Sequence, residues 1–141
     1  MKIEMKCVID TNVFIVSISE FSKYHWLYRL ILDGRIQVCI TNEILMEYEE
    51  MLNEKLGSET AASVIRTLLE LENVFFITIY FKLGLINTDA DDNKFVDCAF
   101  TSNADVLVSN DKHFRILNEV KFPKINLVTL EQFKEGIGAT E

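Results

Sequence analysis

Short apolar runs rich in β-branched residues alternate along this chain with longer stretches whose apolar residues recur at helical spacing. That alternation constrains the fold more than any other feature. The short runs are Lys6–Asp10, Ile36–Ile40, Val74–Tyr80, Val106–Ser109 and Leu127–Thr129. Between them, Phe21–Asp33 reads as a helix stopped by Gly34. Thr41 can cap a helix to about Leu56; Gly57 breaks it, and Ser58 can cap the next, to about Glu72. An acidic start at Asp91 leads a helix that ends near Asn103, a short helix is predicted over His113–Asn118, and "LEQFKEG" forms the last. Strands that alternate with helices predict an α/β chain: a three-layer α/β/α sandwich around a mainly parallel sheet. In such sheets, sites open beyond the C-terminal ends of the strands.

The 141 residues include only one proline and five glycines, so no linker divides the chain. One domain is expected over residues 1–135, with a short flexible tail over 136–141. The N-terminal "MKIEMKCVID" has too little apolar length for a signal peptide, and no run is long enough for a bilayer, so a cytoplasmic protein is expected. Cys7, Cys39 and Cys98 each lie within an apolar run and read as core thiols in a reducing compartment. The net charge is −8, whereas proteins that grip nucleic-acid phosphates usually show a basic surface. Any dealing with anions must therefore rest on local charge or on a bound cation.

Several acidic residues stand out. "CVID" delivers Asp10 and "VLVSND" delivers Asp111 at the ends of two strands, which in a parallel sheet meet at one edge. Either alone could be a plain helix N-cap; two at one edge favour function. In "DADDNKFVDCAF", Phe95, Val96 and Ala99 follow Asp92 at i+3, i+4 and i+7, so Asp92 lies along the buried stripe. Asp97 falls on the opposite side and is expected in solvent; Asp89 and Asp91 are better suited to capping. An acid on an apolar face needs a partner, because a buried unpaired charge is costly. In "TNEILMEYEEMLNEKL", Glu47 and Glu49 flank the apolar stripe, and periodicity does not choose between them.

Four segments, "VIDTNVFI", "EILMEYEEML", "DADDNKFVDCAFTSNADVLVSND" and "DKHF", resemble the PIN domain in order and spacing, from Cys7 to about Phe133. They are most similar to the branch of toxins from prokaryotic toxin–antitoxin systems. The resemblance implies a metal-dependent ribonuclease with a cluster of acids at one sheet edge. Its acidic positions fall on Asp10, Glu47, Asp92 and Asp111, and its small polar positions on Thr11, Asn12 and Ser109. Asp111 matches the family's most variable acid.

Oxygen ligands suit a hard cation, Mg2+ or Mn2+. His25 and His113 are read as standing apart from the cluster. Crowded carboxylates repel and raise some pKa values until a cation relieves them. Lys94, Lys112, His113 and Arg115 lie near the acids in sequence and could meet flanking phosphates, although ordinary surface charge is the plainer reading. The expected function is cleavage of single-stranded RNA, as the toxin of a pair with a cognate antitoxin and as a homodimer. The alternative is a PIN fold that no longer cuts and serves as a protein- or RNA-binding module. A phosphatase with Asp10 as nucleophile would call for a second aspartate where Asn12 stands.

Overall fold

A computed structural model describes residues 5–80, 82–86, 92–120 and 124–137. Five strands form one sheet: β1 (Met5–Ile9), β2 (Ile36–Ile40), β3 (Val74–Phe76), β4 (Val106–Val108) and β5 (Leu127–Val128). Their order is β3-β2-β1-β4-β5, and every pairing is parallel. The helices are α1 (Thr11–Ile18), α2 (His25–Leu32), α3 (Asn42–Leu56), α4 (Ser58–Glu70), α5 (Asn93–Ser102) and α6 (Leu130–Ile137), with a 3-10 helix over Lys112–Glu119. The chain steps outward from β1 to β3, then returns to the other side of β1 for β4 and β5. Parallel crossovers are right-handed, so the outward connections cover one face of the sheet and the later ones the other. The reversal leaves a crevice between the ends of β1 and β4, the place where open parallel sheets bind ligands.

Burial explains the central strands. Cys7, Val8 and Ile9 are fully buried, as are Ile36, Val38 and Ile40, and continuous apolar runs of this kind belong to strands covered on both faces. All three cysteines are free and buried. Phe14 of α1 stacks on Tyr48 of α3 with centroids 4.3 Å apart. The Tyr48 hydroxyl donates to the Ile9 carbonyl, which fastens α3 over the end of β1.

Several boundaries differ from expectation for physical reasons. The run Val74–Tyr80 forms a strand only to Phe76: β2 ends at Ile40, and after Ile77 N–H donates to the Ile40 carbonyl at 2.8 Å no ladder remains. The helix expected from Phe21 starts at His25, because hydroxyl turns occupy the residues before it. It ends as expected at Gly34, whose φ of 72° closes a Schellman turn with Arg35 N–H donating to the Leu30 carbonyl. Ser58 does not cap α4. Gly57, at φ 93°, is at once the end of α3 and the cap of α4, a one-residue joint open only to glycine. Thr41 caps α3 as expected, its Oγ1 accepting from Ile44 N–H at 3.2 Å. The last helix runs to Ile137; the expected caps Asp89 and Asp91 lie outside the described residues. Among the described residues no helix is long and apolar enough to cross a membrane.

Candidate acidic site

The β1–β4 register builds the site. Ile9 pairs with Val108, so the next residues, Asp10 and Ser109, leave the sheet side by side. Asp10 N–H donates to the Val108 carbonyl at 3.0 Å. Ser109 Oγ donates to Asp10 Oδ2 at 2.7 Å and accepts from Asp111 N–H at 2.9 Å. One buried hydroxyl thus orients the first carboxylate and turns the chain toward the last. Asp10 precedes α1, yet its side chain makes no capping hydrogen bond. The plain N-cap reading fails there. It holds in part for Asp111, whose Oδ1 accepts from His113 N–H at 2.9 Å.

Asp10 is 5% exposed, and its pKa is raised from 3.8 to about 6. Burial is the main cause; Ser109 and the Thr11 backbone N–H lower it in part, and the nearby charges of Asp111 and Glu47 raise it again. Asp10, Asn12, Asn110 and Asp111 line a cavity of about 270 Å³ over the crevice.

Asp92, at the start of α5, faces the same edge. Its Oδ2 lies 3.8 Å from His113 Nδ1, which lies 3.4 Å from Asp111 Oδ1. Asp92, Asp111 and His113 each offer a ligand atom, all within 4.8 Å of one another. Asp111 therefore belongs both to this trio and to the cavity that holds Asp10. Glu47 takes a different stance. It accepts from the Thr11 hydroxyl on one oxygen and meets Lys94 Nζ at 2.7 Å on the other.

Three expectations need correction. His113 does not stand apart; it sits among the acids, because Asp111 starts the 3-10 helix that carries it. Asp97 is not in solvent but 4% exposed, accepting from Leu83 N–H at 3.0 Å. The facing argument allowed α5 one buried side. The sheet takes that side, and the segment 82–86 covers the other. Asn93 secures the same segment, donating to the Ile86 carbonyl at 2.9 Å and accepting from its N–H at 2.8 Å. Lys94 is not plain surface charge: its side chain is only 11% exposed, against Glu47. No sequence period signals these roles: Asp97 depends on the segment 82–86, His113 on a 3-10 turn, and Lys94 on a helix remote in sequence.

An uncharacterized protein of Methanocaldococcus jannaschii is 28% identical over 142 residues, covering 92% of this chain and 86% of its own. Among solved structures, VapBC2 from Rickettsia felis, bound to a DNA fragment from its promoter, matches with a TM-score of 0.61 at 18% identity, over 89% of this chain and 98% of that one. Mycobacterium tuberculosis VapC20, a toxin that cleaves the sarcin-ricin loop, matches with a TM-score of 0.57 at 14% identity, over 77% and 92%. At these identities the two structures speak for the fold, which is of nuclease type. A PIN-domain family model matches residues 6–113, a span that takes in Asp10, Glu47, Asp92, Asp111 and His113, and the chain thus belongs to the PIN-domain family.

Proposed function

We infer that this protein is a metal-dependent endoribonuclease that cleaves single-stranded RNA, and that it is the toxin of a toxin–antitoxin pair. The observation that carries the reading is the convergence of Asp10, Asp92 and Asp111 at the crevice of a parallel sheet, with Asp10 pushed up to about 6 by burial and crowding. The three aspartates offer carboxylate oxygens at one edge, and Lys94 meets Glu47 at 2.7 Å. Such a donor set fits a divalent cation. Asp10, Asp92, Asp111 and His113 would hold Mg2+ or Mn2+, with Glu47 beside them. When bound, the ion would supply Lewis acidity toward a phosphodiester oxygen and a lowered pKa for an attacking water. The imidazole favours Mn2+, since Mg2+ prefers oxygen throughout. Ser109 fixes the Asp10 carboxylate, Thr11 and Lys94 fix that of Glu47, and Asn12 borders the cavity where substrate would enter.

The test is cleavage of single-stranded RNA with Mn2+ or Mg2+, against EDTA and against Asp10→Asn. Metal-dependent cleavage lost in the variant is the expected result; RNA left intact by the parent under every metal sinks the reading. The non-catalytic alternative draws on one observation, that both Glu47 oxygens are engaged within the protein. The same assay separates the two. The toxin role is supported by likeness to the VapBC structures. It calls for a small antitoxin that co-purifies with the chain when the two neighbouring genes are expressed together. A cytoplasmic homodimer is part of the same reading, and light scattering showing a monomer at micromolar concentration would remove the dimer.

A further inference from the structure

Beside the acidic cavity lies a second one of about 310 Å³, and Tyr24 lines both. Its wall carries the rings of Tyr24 and Trp26, the ammonium groups of Lys23 and Lys134, and the carboxylates of Glu131 and Glu135. Hydroxyl turns shape the loop before α2: Ser19 Oγ accepts from Phe21 N–H at 3.2 Å, and Ser22 Oγ from Tyr24 N–H at 3.0 Å. Held this way, Phe21 is 92% exposed. From the other side, α6 presses Phe133 against Trp26, centroids 6.2 Å apart, and so brings Lys134 to the cleft. A lysine lies over each ring: Lys23 Nζ is 5.1 Å from the Tyr24 centroid, and Lys134 Nζ 5.8 Å from that of Trp26.

Rings interleaved with lysines are what unpaired nucleic acid uses, bases stacking on the rings while phosphates meet the ammonium groups. A lysine over a half-buried ring at the surface is weakly held, and a base stacked in its place gains more. Glu131 and Glu135 offset the two lysines in formal charge, so the cleft does not gather anions in general, and stacking has to carry recognition. We propose that Lys23, Tyr24, Trp26 and Lys134 form a subsite for the unpaired nucleotides that flank the scissile phosphate, with bases on the rings and the lysines moved onto phosphates. The proposal rests on the RNA-cleavage reading, since Tyr24 is what joins this cleft to Asp10 and Asp111. A basic peptide drawn by the two glutamates is the competing occupant.

Trp26 is the chain's single tryptophan, so its fluorescence reports on this cleft alone. The experiment titrates the full chain with a short single-stranded RNA in EDTA, where nothing is cut. Saturable quenching is expected. Tyr24→Leu combined with Lys134→Ala should raise Kd about tenfold. Lys134→Ala alone should flatten the log–log salt dependence by about 0.7. Tyr24 and Lys134 are only partly buried, and circular dichroism checks that the variants fold. RNA that gives no quenching, quenching indifferent to both substitutions, or quenching by an oligoarginine peptide but not by RNA overturns the subsite. Quenching without metal-dependent cleavage keeps the cleft as a nucleotide site and removes the nuclease; cleavage without quenching does the reverse.

Discussion

The carboxyl group of Asp10 titrates at about 6 in the fold, against 3.8 ordinarily. The folded state therefore holds its proton more tightly than the unfolded chain. The stability tied to that proton is fully present below pH 3.8 and is lost as pH rises through about 6. At neutral pH the metal-free protein should forgo about 3 kcal/mol, from a shift of about two units at 1.36 kcal/mol each. Asp10→Asn keeps an acceptor for Ser109 and carries no charge. In EDTA the variant should be more stable than the parent at pH 7, and the gap should close toward pH 4. Thermal melts across that range check this; parallel curves would mean that burial does not raise the Asp10 carboxyl. Asp97 makes the opposite case. Its buried carboxylate is satisfied by Leu83 N–H, so Asp97→Ala should cost about 1–3 kcal/mol by leaving that amide without its acceptor. Denaturant unfolding would measure the loss, and an unchanged midpoint would make the contact ornamental.

At the scale of elements, α3 matters most, since it carries both Tyr48 and Glu47 to the end of β1. Its N-terminus depends on the Thr41 hydroxyl. Thr41→Ala should cost about 1 kcal/mol and lower the melting temperature by a few degrees. A calorimetric scan showing no change would refute the cap. The five strands, the capped start of α3 and the stop at Gly34 were legible in the sequence because local chemistry decides them: β-branched runs, a threonine before a helical stripe, a glycine after one. The strand–helix alternation also implied a parallel sheet, which put Asp10 and Asp111 at one edge. What stayed illegible depends on covering segments. Val74–Tyr80 has strand chemistry to its end, but β2 stops before it. Asp97 faces away from its helix's apolar stripe, but another segment covers it. His113 is drawn in by a 3-10 turn that no periodicity announces. Glu47 and Glu49 could not be told apart by facing, and in the fold only Glu47 meets Thr11 and Lys94.

For the whole molecule, a net charge of −8 and an acidic crevice point the same way. A cation that binds the folded site and not the unfolded chain stabilises the fold by about 2.7 kcal/mol at ~100 times its dissociation constant. For a domain of this size that is a rise of several degrees in melting temperature. Mn2+ should act at least as strongly as Mg2+, and Asp10→Asn should blunt both. Sodium chloride at matched ionic strength is the control for general screening. Equal shifts from salt, or an undiminished response in Asp10→Asn, would dissolve the metal site.

The sheet order also has a consequence in time. Asp10 and Ser109 lie 99 residues apart in sequence, and β1 waits at the edge of a three-stranded half-sheet until β4 has been made. During synthesis the crevice does not exist, and an emerging chain has no place to gather its acids. Closing so distant a contact is slow, because the loop entropy is spent before the pairing rewards it. A nascent chain of this kind cannot bring Asp10, Ser109 and Asp111 together until residue 111 has left the ribosome, which gives any protein able to bind its earlier-formed half the first chance to meet it.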